Sequence, residues 1–175
     1  PPIWFPVCRC RGVGLAAAAE RLRVRLMPSS VAHLVRRAVT DGLANEPGLR
    51  DEGVAVSYGY DVSATKRFQV FTAQARADTP PAALRSGRNH KDEQGMFSLL
   101  LVVNAPGGDA FAAEERSDQF RTVVEEFLGD RKSNELGVPG LSWLRLDGWA
   151  TEDGRADEGW TVVTTYTVRY QARIT

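Results

Sequence analysis

The most regular alternation in the chain is its last stretch, GWTVVTTYTVRYQARIT over 159–175. From Trp160 the even positions read Trp160, Val162, Thr164, Tyr166, Val168, Tyr170, Ala172 and Ile174. The odd positions read Thr161, Val163, Thr165, Thr167, Arg169, Gln171 and Arg173. Successive strand side chains point to opposite faces, so this period of two predicts one strand with an apolar face and a face of Thr, Arg and Gln. β-branched and aromatic residues fill it, as strands favour.

The other elements follow from the same pattern. Pro28-Ser29-Ser30 supplies a capping residue, and Val31, Leu34, Val35, Ala38, Val39 and Leu43 recur at helical spacing. Arg36, Arg37, Thr40 and Asp41 fall on the opposite side of that helix, and Asn45, Pro47 and Gly48 end it. Val54, Val56, Tyr58 and Tyr60 alternate as a short strand, expected to pair with a second over Phe68–Ala75. The stretch DTPPAALRSGRNHKDEQG over 78–95 is too polar and broken for core and reads as a long loop. Phe97 to Val103 is nearly continuously apolar, which predicts a central strand covered on both faces. Asp109 is placed to cap a helix with the stripe Phe120, Val123, Val124, Phe127 and Leu128, ending at Gly129. A strand over Leu141–Trp149, a polar turn TEDGRADEG and the terminal strand complete the order α-β-β-loop-β-α-β-β. That order predicts an α+β domain: a single mixed, mainly antiparallel β-sheet of about five strands with two helices packed on it.

Composition narrows the function classes. The 175 residues are 43% hydrophobic and 25% charged, with 22 basic and 22 acidic side chains. A net charge of zero gives no general attraction to nucleic acid or to an anionic membrane. No apolar run approaches the roughly 20 residues that span a bilayer. The first 26 residues mix Pro, Gly, Arg and aromatics without either period. They read as an atypical extension, disordered or translated from upstream, with the domain over 27–175 starting at Met27 ahead of the first helix. Cys8 and Cys10 lie in that extension; no second pair or nearby His completes a metal set, and they read as incidental thiols.

Candidate chemistry is sparse. His90, Asp92 and Glu93 could be sketched as a general base with orienting carboxylates, but neighbours on an irregular loop usually point apart, and a solvated loop is the better reading. His33 has no obvious partner. Gly12-x-Gly14 lacks the third glycine and preceding strand of a dinucleotide turn. Trp143 and Trp149 could stack a ligand, yet strand tryptophans more often serve core or interface. Arg85, Arg88 and Lys91 sit among Asp92 and Glu93, a local excess of one positive charge, too small for a nucleic-acid footprint. No catalytic, cofactor-binding or metal-ligating set stands out.

The linear arrangement resembles the tail terminator proteins of long-tailed bacteriophages, the lambda-type minor tail or tail completion family. The resemblance is carried by the helix SSVAHLVRRAVTDGLA, the strand VAVSYGY and the segment PAALRSGRNHKDEQGMFSLLLVV. It continues through the acidic-start helix AAEERSDQFRTVVEEFL, the strand LSWLRLDGW and the closing GWTVVTTYTVRYQARI, and so covers Pro28 to Ile174. No single piece is a signature; order and spacing carry it.

The resemblance implies a structural virion protein of the tail, assembled in the bacterial host cytoplasm. It would form a homohexameric ring on the finished tail tube, stop polymerisation and present a surface for head attachment. Its partners would be itself, the major tail tube protein and the head–tail connector or neck protein, with no membrane, no sequence-specific nucleic acid, no cofactor and no catalytic residues. The inter-subunit candidates are Arg85, Arg88, His90 and Lys91 on the polar loop, and Thr165, Thr167 and Arg169 on the polar face of the last strand. Guanidinium forks suit interface ion pairs, and the loop is expected to become ordered against a partner. The alternatives are a neck or head–tail connector completion protein, and a small hydrolase or ligand-binding enzyme using His90 and Asp92.

Overall fold

The computed structural model describes residues 30–60, 67–78, 91–107, 109–129, 136–156 and 159–174. The predicted extension over 1–26 and most of the polar loop lie outside them. The helices are α1 (Ala32–Asn45), α2 (Pro47–Arg50) and α3 (Ala110–Gly129). The strands are β1 (Ala55–Ser57), β2 (Phe68–Asp78), β3 (Lys91–Pro106), β4 (Leu141–Ala156) and β5 (Gly159–Ile174). They form one sheet in the order β1-β2-β3-β5-β4, parallel between β1 and β2 and antiparallel elsewhere. This is the predicted mixed α+β sheet. The four-residue α2, opened by Pro47 at its first turn, adds a third helix that the pattern did not separate from the end of α1.

A side-chain oxygen holds an amide at the start of each long helix, although the cap position of α1 itself is Val31. Ser30 Oγ accepts the Ala32 amide at 3.1 Å, and Asp109 Oδ1 accepts the Ala112 amide at 2.8 Å. Each satisfies a backbone donor that the first helical turn leaves unpaired. Among the described residues, α1 and α3 pack on one face of the sheet. Val31 just before α1, Val35, Val39 and Leu43 of α1, and Phe120, Val124, Phe127 and Leu128 of α3 are buried. They meet Phe97, Leu99, Leu101 and Val103 of β3 and the even face of β5 from Val162 to Ile174, also buried. Gly42 lets the helices approach closely, because a Cβ there would run into the ring of Phe127. Arg36 ties α1 to β2, its Nη2 donating to Thr72 Oγ1 at 3.0 Å.

Four sequence expectations need correction. Thr40 is buried rather than solvent-facing, and its hydroxyl is satisfied by the Arg36 carbonyl at 2.9 Å, one turn back on its own helix. Central strand β3 is buried on one face alone: Leu100 and Val102, which alternate with its buried residues, stay half-exposed because no described helix covers them. The predicted turn over 151–159 is strand as far as Ala156, because β4 keeps its register with β5 from Thr151 opposite Thr164 to Ala156 opposite Gly159. β5 stays paired with β3 on its other side as far as Pro106 opposite Gly159, so this end of β4 is the edge of the sheet, and Trp149 through Arg155 are all exposed on it.

The fourth correction concerns Glu93. The polar stretch reaches into β3, and Glu93 is 1% exposed. Three groups hold its carboxylate: the Tyr170 hydroxyl donates at 2.8 Å, Ser30 Oγ at 3.1 Å, and the Val31 amide at 3.2 and 3.3 Å to the two oxygens. An acidic group buried at the positive N-terminal end of a helix, with donors on both oxygens, is the arrangement that makes its burial tolerable. Tyr170 reaches it by lying across Gly95, where any Cβ would collide with the phenol ring. Burial first, and the bond to Glu93 second, push the Tyr170 phenol well above its ordinary ionisation range. Tyr166, also fully buried, is pushed the same way chiefly by burial, and its hydroxyl finds no hydrogen-bond partner among the described residues.

Candidate assembly surface

The face of the sheet away from the helices is where the polar side chains collect. Cross-strand register sets its layout, because directly opposed residues share a face. Thr165 lies between Leu100 of β3 and Ala150 of β4; Thr167 lies between Ser98 and Gly148; Arg169 lies between Met96 and Arg145. All three sequence candidates on β5 thus stand in one column, with small or apolar neighbours around the threonines and Met96 and the cation Arg145 on either side of Arg169.

Towards the end of the sheet that carries the start of β3, this face deepens into a groove of about 330 Å³, lined by Arg76, Gln94, Met96, Trp143, Arg145 and Arg169 among others. Trp143 is fixed by its indole N–H, which donates to Gln171 Oε1 at 2.8 Å. The Arg145 guanidinium sits over the Trp143 ring at 4.9 Å, an attraction between cation and ring face. Arg169 pairs with Asp147 at 2.9 Å and Arg76 with Asp78 at 3.3 Å. Arg145 makes no ion pair among the described residues. Met96, 40% exposed, supplies an apolar wall.

The loop candidates fare differently. Arg85, Arg88 and His90 lie outside the described residues. Lys91 is the first residue of β3, opposite Ile174, and its side chain is outside the described part. The proposed His90–Asp92–Glu93 set does not converge: Asp92 pairs with Arg173 at 3.2 Å on the open face, while Glu93 points into the core, since neighbours on a strand face opposite ways. Trp143, Arg145, Arg76 and Met96 were missed as a group. Trp143 and Arg145 could have been placed together by the period of two through β4, where they alternate with Leu144 and Leu146. Their meeting with Arg76 and Met96 depends on a sheet order that a single sequence does not display.

Trp149 lies on the other face, at the β4 edge, with the Arg121 guanidinium of α3 stacked 3.9 Å from its ring. No group of three or more His, Cys, Asp or Glu side chains among the described residues is placed to hold a metal ion.

No family model matches the chain, and no curated protein matches it in sequence. Among solved structures, the virion of a native gene transfer agent particle contains a similar chain. The match has a TM-score of 0.55 at 16% identity, over 83% of this chain and 98% of that one. At that identity the likeness is one of fold. It covers nearly the whole of the virion chain and most of this one.

Proposed function

We propose that this chain is a structural component of a bacteriophage-like virion, and specifically its tail terminator. The observation that carries the reading is the fold it shares with a chain of the gene transfer agent virion, end to end on that chain. The sequence pattern over Pro28–Ile174 adds the finer identification. On this reading the chain works by assembling: it forms a homohexameric ring on the tail tube, halts growth and offers the head connector a docking surface. The open sheet face supports such a role. It is half-polar, carries an aromatic and three guanidinium groups in one groove, and leaves one long strand, β4, at the sheet edge. Tryptophan, methionine and arginine are enriched in protein interfaces, and a long unprotected edge is a pairing hazard unless a partner covers it. No enzymatic step is assigned to any residue.

Sedimentation and negative-stain imaging of the purified chain, with and without the tail tube protein, test the proposal. Closed rings that bind tube ends are the expected result. A chain that stays monomeric in both conditions would reject it.

A further inference from the structure

On the open face, one cross-strand row runs Arg145, Arg169, Met96 and Arg76 across β4, β5, β3 and β2. Arg145 lies directly opposite Arg169, and like charges so placed are destabilising. Asp147 answers only one of them. It sits at the register shift between Leu146 and Gly148 and pairs with Arg169 at 2.9 Å. A bulge of this kind re-aims a side chain, and bulges gather beside functional sites. Arg145 is left over the Trp143 ring, and Trp143 is itself pinned by Gln171, its opposite on β5. Arg67 and Arg155 are exposed as well, but no ring holds either among the described residues. The groove thus keeps one guanidinium in place beside a second, and among the described residues Arg145 has no carboxylate of its own.

We propose that this groove binds a carboxylate: an Asp or Glu side chain on an extended segment of a partner protein. The carboxylate lies between Arg145 and Arg169 and relieves their opposition, while an apolar neighbour on the segment covers Met96. Hydrogen bonds from guanidinium to carboxylate are charge-assisted, and the planar fork suits them in pairs. Because Trp143 already orders Arg145, less freedom is lost on binding. β4 is the edge strand, so a segment can reach Arg145 from the side without displacing a neighbouring strand. The charge balance favours a protein segment over nucleic acid or polyphosphate. Arg76, Arg145 and Arg169 stand against Asp78 and Asp147, an excess of one positive charge that matches a single carboxylate. The two acids repel a polyanion, whose binding needs several cations free to meet phosphates. The site goes beyond the ring proposal and does not rest on it.

The test titrates the full chain with a capped pentapeptide alternating leucine and glutamate, and with the same peptide carrying glutamine. The Trp143 indole N–H, held by Gln171, reports occupancy by nuclear magnetic resonance. The glutamate peptide is expected to shift that signal saturably and to bind roughly tenfold or more tightly than the glutamine one, because only it brings charge to the guanidinium groups. Arg145→Gln should weaken the glutamate peptide by a similar factor. Arg155→Gln, on the other face of β4, should leave it unchanged. Both arginines are exposed, and melting curves check that each variant is folded. Equal binding of the two peptides, or binding that survives Arg145→Gln, would overturn the proposal. So would inorganic polyphosphate binding more tightly than the peptide, which would make the groove a polyanion site. An indole signal that moves with protein concentration alone would overturn it too, by giving the groove to a second copy. None of these outcomes bears on whether the chain terminates tails, so the two readings fail separately.

Discussion

The Tyr170 hydroxyl donates to Glu93 at 2.8 Å, and through that carboxylate β5 is bound to β3 and to the first turn of α1. A single buried acid therefore joins elements that are 62 and 77 positions away from it along the chain. Tyr170→Phe removes one of the three donor groups and leaves the ring in place. It is expected to destabilise the subunit by about 1–3 kcal/mol, the usual effect of leaving a buried polar group short of a partner. Thermal melting measures it; an unchanged midpoint would show that water replaces the phenol.

Gly95 makes that bond possible by leaving room for the ring. Gly95→Ala forces Tyr170 aside, and overpacking of this kind costs about 1–3 kcal/mol. Combined with Tyr170→Phe, the loss should be less than additive, because both changes act on one contact. Additive losses in a melting series would mean the two residues act separately.

Tyr166 gives the opposite expectation. Its hydroxyl is buried without a partner, so Tyr166→Phe should leave stability unchanged or raise it. Tyr166→Ala, which empties the space beneath α3, should cost about 3–5 kcal/mol. A marked loss on Tyr166→Phe would reveal a partner for the hydroxyl.

Both phenols are held above their usual ionisation range. In the unfolded chain a tyrosine loses its proton near pH 10. Above that pH the unfolded state binds fewer protons than the folded one, so stability falls as pH rises. The stabilisation is fully present below about pH 10 and is lost on the way up through the folded values. Melting midpoints should drop above pH 10 and drop less in a Tyr166→Phe, Tyr170→Phe double variant; equal slopes would contradict this.

Much of this fold was legible because burial and period agreed. The even face of β5 is buried from Val162 to Ile174 as its alternation required, and Asp109 caps α3 as its position required. Glu93 was not legible: a glutamate in a polar stretch reads as solvated until the donors that hold it arrive from Ser30, Val31 and Tyr170. The strand over 151–156 was hidden for a related reason. Asp, Gly and Glu are turn formers locally, and only pairing with β5 keeps them extended. On the open face, Thr165, Thr167 and Arg169 could be read from one strand, whereas the groove needs β2, β3 and β4 beside it.

The open face should tolerate charge in the subunit and not in the assembly. Thr167 is half-exposed between Ser98 and Gly148. Thr167→Asp is expected to change subunit stability by no more than about 0.5 kcal/mol, as exposed substitutions usually do. If this column meets a neighbour, the same change should block rings in sedimentation, because an unpaired charge at a closed contact is costly. A melting loss as large as that of Tyr166→Ala would mean that both faces of β5 are core.

The proposed terminator role is tested most directly by deleting the gene from the genome that encodes it and measuring tail lengths in the particles produced by electron microscopy. Without a terminator, tubes should grow well beyond the native length and carry no heads. Tails of native length would contradict the proposal, and native-length tails beside separate, filled heads would point to a neck protein instead.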